Sequence, residues 1–153
     1  MKYFICGFSG SGKSTKLNSL KTLDEYKSYK FIDLDDYIFE KFGNSYKNLG
    51  ELISDKGFEW FRGTEKEELL KILEEYDDIW IALGGGTLDD DLVSSFKTQL
   101  SLEGHWLNTS FEVCWKRIKN DVNRPLVALG EDKLREIYQN RLKLYKNFKT
   151  LEA

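Results

Sequence analysis

Gly7-Phe8-Ser9-Gly10-Ser11-Gly12-Lys13-Ser14 has the form G-x-x-x-x-G-K-[ST], lying between the apolar run Tyr3-Phe4-Ile5-Cys6 and a lysine-rich helical stretch. Strand, glycine-rich turn and helix start are the context in which this spacing does chemistry. The glycines let consecutive backbone N–H groups turn inward around phosphates, and the helix N-terminus adds partial positive charge. Gly10, Ser11 and Gly12 form the expected cradle, with Thr15 just behind it. Lys13 would reach the β- and γ-phosphates, and the Ser14 hydroxyl would ligate Mg²⁺. The expected ligand is ATP or GTP.

Three further groups of residues could act on whatever receives the phosphate. In Phe31-Ile32-Asp33-Leu34-Asp35-Asp36, read as a strand end, Asp33 and Asp35 project to one side. One carboxylate could hold Mg²⁺ through water and the other could take a proton from an attacking hydroxyl; Asp36 reads as a helix cap. Gly84-Gly85-Gly86 follows an apolar run and offers bare backbone N–H groups to a ligand. Arg141 sits on the apolar stripe Leu134, Ile137, Tyr138, Tyr145, Phe148, four residues after Ile137 and four before Tyr145. A cation on a buried face needs an anion, which is either a structural partner or a ligand. Arg62 has the same two readings. Two arginines converging on one cleft would suit a carboxylate-bearing substrate.

The elements that must carry these groups alternate. Lys2–Cys6, Phe31–Leu34, Ile79–Leu83 and, more weakly, His105–Leu107 read as strands, separated by stretches with apolar residues three and four apart. Asp89 and Asp90 are candidate caps for the helix bearing Leu92, Val93, Phe96 and Leu100, and Thr109-x-x-Glu112 is a candidate capping box. From Phe58 to Tyr76 the pattern favours one long helix despite Gly63, with a helix starting at Thr64 as the alternative. A last helix is expected from Glu131 to about Phe148. The order predicts an α/β chain with a parallel sheet covered on both faces, its ligands beyond the carboxyl ends of the strands. Residues 120–130, with Arg124 and the chain's one proline, could form a lid that brings Arg124 to the phosphate.

Length and charge bound the rest. The chain of 153 residues suits one domain, and a net charge of −3 gives no support to nucleic-acid or anionic-membrane binding. No apolar run is long enough for a bilayer, and Met1 runs directly into the first strand without room for a signal peptide. Cys6 and Cys114 read as reduced packing residues, and His105 as a packing residue in a strand. A cytoplasmic monomer is expected.

Taken in order, the phosphate loop, Phe-Ile-Asp-Leu-Asp-Asp, Gly-Phe-Glu-Trp-Phe-Arg, Gly-Gly-Gly-Thr, Asn-Arg-Pro-Leu and the stretch from Leu134 to Tyr145 resemble the shikimate kinase family from Lys2 to about Phe148. The resemblance implies a P-loop three-layer sandwich with a five-stranded parallel sheet and a lid. It implies transfer of the ATP γ-phosphoryl group to shikimate, with Mg²⁺, in the pathway to chorismate and the aromatic amino acids. Lys13 and Ser14 would hold phosphates and metal, with Asp33 supporting the metal and Asp35 deprotonating the acceptor hydroxyl. Arg62, Arg141 and the Gly84–Gly86 backbone would hold the substrate, with Glu65 in support. Arg124 would serve as the lid arginine and Arg117 would pack against adenine. The departure is at the end: Lys149–Ala153 allows only a stub where the family continues into a fifth strand and a further helix. A sheet of four strands, open at the edge beside Trp106, is therefore expected unless the stub pairs. Two other readings stay open: a related kinase for another polyol acid such as gluconate, and a nucleotide-binding domain without turnover.

Overall fold

The computed structural model describes residues 1–152. Five parallel strands, β1 (Lys2–Cys6), β2 (Lys30–Asp33), β3 (Ile79–Ala82), β4 (Leu102–Leu107) and β5 (Lys149–Leu151), form one sheet in the order β2-β3-β1-β4-β5. Seven α-helices accompany them: α1 (Lys13–Leu20), α2 (Leu34–Phe42), α3 (Leu49–Lys56), α4 (Phe58–Glu75), α5 (Asp90–Lys97), α6 (Phe111–Ile118) and α7 (Glu131–Tyr145). The alternation read from the sequence is thus realised as a parallel α/β fold.

The period-two pattern of β1 sorts the core into its two faces. Phe4 and Cys6 join the larger cluster, built with Leu69 and Ile72 of α4, Leu92 and Phe96 of α5, Phe111 of α6 and Leu134 and Tyr138 of α7. Ile5 points the other way, onto Leu17 and Leu20 of α1 with Trp80, Ala82 and Leu107. Tyr3, Tyr26 and Tyr29 extend this second face, and Tyr3 stacks on Trp80 at 4.4 Å between ring centroids. Helices lie on both faces, but one face rests largely on α1 and an aromatic cluster.

Four expectations change in detail. The fifth strand is present: β5 pairs with His105, Trp106 and Leu107 of β4, so the edge at Trp106 is covered and the sheet has five strands. β2 stops at Asp33, which caps α2 by accepting from the Asp36 N–H, so Asp35 lies in the first helical turn and not on the strand. The cap of α6 is Ser110, not Thr109: Thr109 Oγ1 is drawn away to the Ser11 carbonyl at 2.8 Å, and Glu112 to Arg135 at 2.9 Å. α7 ends at Tyr145, and Phe148 instead packs edge-on to Phe4. The single helix α4 runs through Gly63, where a Cβ would meet nothing within 4 Å, so that glycine answers no packing need. Asp89 caps α5, His105 lies in β4 and both cysteines are free and buried, as expected. Among the described residues, no helix is long and apolar enough to cross a membrane.

Candidate active site

β1, β2 and β3 all end at one edge of the sheet, and every group with chemistry gathers there. The turn after β1 enters α1 through Gly12, whose φ of 100° is left-handed and costs a side-chain-bearing residue strain; Gly10, at 81°, is alike. This geometry wraps the loop around a cleft of about 690 Å³ lined by Ser9 to Lys16, Asp33, Asp35, Gly85, Arg117 and Arg124. Ser9, absent from the residues singled out by spacing, is part of it. Lys13 Nζ donates to the Gly7 and Phe8 carbonyls at 2.8 and 3.0 Å. Burial lowers its pKa to about 8, with nearby Asp35 opposing the shift. A lysine held in this way gains from incoming phosphate charge, which favours its protonated form.

The Ser14 hydroxyl hydrogen-bonds the Asp33 carboxylate. These two oxygens, one from α1 and one from β2, suit a hard cation. Among the described residues there is no cluster of three or more acidic, histidine or cysteine side chains that would hold a metal by itself. The pair therefore fits Mg²⁺, which takes one or two protein oxygens and completes its shell with phosphate oxygens and water. Arg117 on α6 donates from Nη1 to the Gly10 carbonyl at 2.9 Å, at the mouth of the cleft.

A second, tighter recess of about 90 Å³ adjoins the first. Arg62, Glu65, Gly84, Gly85, Gly86 and Arg141 line it, and segments of α3 and residues 123–126 close over it. Ser9, Asp35, Gly85 and Arg124 line both cavities, so Asp35 stands at their junction. Its carboxyl is pushed up to about 6, first by burial, then by the charges of Glu65 and Asp33. Gly84 explains this crowding: a Cβ there would lie 2.8 Å from Glu65 Oε2 and 2.9 Å from Asp35 Oδ1. Gly86 is flanked by the guanidiniums of Arg62 and Arg141, the latter 2.7 Å from the position of a Cβ.

The two arginines are held differently. Arg62 has a structural partner, Glu65 Oε1 at 2.6 Å, and Glu65 in turn accepts from Thr87 Oγ1 at 2.7 Å. Arg141 has no carboxylate within salt-bridge distance among the described residues. Its Nη1 is buried without a hydrogen-bond partner, and its guanidinium lies 5.5 Å from the Phe8 ring centroid. A guanidinium with one nitrogen buried and unpaired is unfavourable until an anion comes to it. Of the two readings left open for Arg141, the structural ion pair is therefore not the one realised. Thr87 enters the sequence reading only as the end of Gly-Gly-Gly-Thr, without a role, and its spacing of 22 residues from Glu65 carries no local signal.

Residues 120–130 arch over this recess as a turn and a short 3-10 helix (Pro125–Leu129). Arg124 Nε donates to Asp121 Oδ2 at 3.0 Å within the arch. The arch rests on α3 at one point. The Asn123 carbonyl oxygen occupies the place of a Cβ on Gly50, and Asn48 Nδ2 donates to Asn123 Oδ1 at 2.9 Å. Glycine inside a helix costs about 1 kcal/mol against alanine, so Gly50 is explained by this approach. Gly50→Ala is expected to strengthen α3 locally while lifting the arch. Hydrogen exchange should then show faster exchange of amides 120–130 with α3 unchanged or slower. Unaltered protection of the arch would mean that the contact does not hold it.

The family model described as shikimate kinase matches residues 9–153. The chain belongs to the shikimate kinase family. It is 31% identical over 154 residues to the shikimate kinase of Streptococcus thermophilus, covering 99% of this chain and 88% of that protein. It is also 35% identical over 157 residues to the bifunctional shikimate kinase/3-dehydroquinate synthase of Thermotoga maritima, covering all of this chain but 29% of that longer protein. Among solved structures, shikimate kinase from Acinetobacter baumannii in complex with shikimate superposes with a TM-score of 0.81 at 27% identity, over 99% of this chain and 83% of that one. Deoxyadenosine kinase from M. mycoides, at 18% identity and a TM-score of 0.58, shares the fold alone.

Proposed function

We propose that this chain is a shikimate kinase, transferring the γ-phosphoryl group of ATP to the 3-hydroxyl of shikimate. The carrying observation is the junction: a phosphate-binding cleft meets, at Asp35, a recess lined by Arg141, whose Nη1 is buried without a partner. ATP lies in the cleft with its phosphates on the Gly10–Ser14 backbone and Lys13. Arg117 lies on the adenine side, and Thr15 in the first turn of α1. Ser14 and Asp33 would hold Mg²⁺, which would supply neutralisation of the phosphate charge. The shikimate carboxylate takes the two arginines, with Arg141 its buried anchor and Arg62 oriented by Glu65. The Gly84–Gly86 backbone meets the substrate at close range.

Asp35 accepts the proton of the attacking 3-hydroxyl. The new P–O bond forms at that oxygen while the bond to the β-γ bridging oxygen breaks and ADP leaves. Arg124, carried by the arch, adds positive charge where the phosphoryl group passes. An arch that closes after both substrates enter also excludes water, the competing acceptor. In this reading the arch opens to admit the ring acid to the narrow recess and closes over it. The same reading places the enzyme in the shikimate pathway as a cytoplasmic, single-domain monomer.

The test is a coupled ADP-release assay with shikimate, with gluconate and with no acceptor. Shikimate-dependent ADP release, with product carrying one phosphate, is expected. Faster turnover of gluconate would move the substrate, and binding of ATP without turnover of either would leave only a nucleotide-binding domain.

A further inference from the structure

Gly84 to Thr87 form a turn closed by the Thr87 N–H donating to the Gly84 carbonyl at 3.3 Å. Its central peptide joins Gly85 to Gly86. In such a turn that peptide can rotate by about 180° between type I and type II arrangements while the flanking residues barely move. The type II form needs a positive φ at the third residue, which glycine supplies without strain. Gly86 is the third residue here, and its φ is not positive. Two glycines make both arrangements accessible, so the Gly-Gly sequence does not choose between them.

A residue 60 positions away makes the choice. Tyr145 Oη donates to the Gly85 carbonyl at 2.5 Å from within the core, where the side chain is fully buried and its ring stacks beside Trp106, the planes 26° apart. In a trans peptide the C=O and the following N–H point in opposite directions. With the Gly85 carbonyl directed to Tyr145, the Gly86 N–H is directed away from it, and Gly86 lies on the wall of the recess with Arg62 and Arg141 beside its Cα. We infer that Tyr145 is a positioning residue, its hydroxyl holding the Gly85–Gly86 peptide so that the Gly86 N–H faces the substrate recess. Tyr145 stands one helical turn after Arg141 on the same face of α7, so one helix carries both the anion-binding guanidinium and the group that aims the neighbouring backbone donor. Burial raises the phenol pKa, which keeps it protonated and a donor.

The inference rests on the proposed substrate site, and the experiment separates the two. Tyr145→Phe keeps the ring and removes the hydroxyl. In ¹⁵N-labelled protein without ligand, the wild-type Gly86 amide should give one sharp resonance, and in the variant it should shift or broaden through exchange between two peptide orientations. Kinetically, the variant should raise the shikimate KM about tenfold, the worth of one aimed hydrogen bond. The ATP KM and Tm should stay near wild type, which a purely structural role would not produce. An unchanged Gly86 amide overturns the inference, as does a changed amide with an unchanged shikimate KM. If wild-type protein turns over no shikimate, the functional reading fails and the amide spectra alone decide. Should the variant not fold, relaxation dispersion on the wild type decides: two exchanging Gly86 states would overturn a locked peptide.

Discussion

Asp35→Asn is expected to lower kcat by at least about 10²-fold, the usual contribution of a positioned general base, while ATP affinity stays near that of the wild type. The carboxylate stands at the junction of the two cavities, and no loop N–H or lysine depends on it for a hydrogen bond. The same substitution should stabilise the protein at neutral pH. Asp35 is raised from an ordinary 3.8 to about 6, so its ionised form is disfavoured in the folded state. A raised carboxyl contributes stability below its ordinary value and loses that contribution as pH rises through about 6. Asparagine carries no such penalty. With the group partly open to solvent, a gain of about 1 kcal/mol is expected at pH 7, or roughly 2–4 °C in Tm for a domain of this size. The advantage should shrink toward pH 4. Turnover and melting curves across this range check both halves. Wild-type-like kcat would remove Asp35 from the chemistry, and a variant less stable at pH 7 would mean the carboxylate has a structural partner.

The activity of the wild type carries the complementary signature. A base that must be ionised gives a kcat/KM for shikimate, at saturating ATP, that falls below about pH 6. Glu65 is the largest charge acting on Asp35, and its negative charge holds that limb up.

The parts of this site that follow from local spacing were readable in the chain. Eight consecutive residues specify the phosphate loop because its chemistry is made by adjacent backbone groups. Arg141 could be singled out because a helix repeats its faces every three to four residues, which placed a cation on an apolar stripe. Asp33 and Asp35 were found for a partly mistaken reason. They share the site, yet the strand ends at Asp33, so helical geometry and not strand alternation brings Asp35 to the cleft. What could not be read depends on contacts distant in sequence. Thr87 on Glu65, Tyr145 on Gly85 and Asn123 on Gly50 join positions 22, 60 and 73 residues apart. Tyr145 had a readable place, one turn after Arg141, but packing and positioning make the same pattern of apolar residues. β5 shows a related limit, since three residues carry too little periodicity to announce a strand, and its pairing with β4 comes from the sheet already built beside it.

The larger effect on binding is expected from Arg141→Ala. Its guanidinium is half-buried and has no carboxylate within salt-bridge distance among the described residues, and Nη1 is buried without a hydrogen bond. Such a group is destabilising in the free enzyme and becomes favourable when an anion arrives, so its energy is held for the ligand. Removing it should raise the shikimate KM by roughly 10²-fold or more, in line with the 3–5 kcal/mol scale for breaking a buried charge pair. The ATP KM should hardly change, because the phosphate cleft does not include Arg141. Stability should be unchanged or higher: the variant loses a half-buried charge that has no carboxylate partner, and with it the weak contacts to the Phe8 ring and the neighbouring Tyr145 hydroxyl. Arg62→Ala provides the contrast. It leaves Glu65, buried at 1% exposure, with Thr87 alone, so it should cost stability as well as affinity. Melting temperatures and the two KM values for each variant distinguish these cases. A large loss of Tm in Arg141→Ala with an unchanged shikimate KM would make the arginine structural and would remove the anion site from the recess.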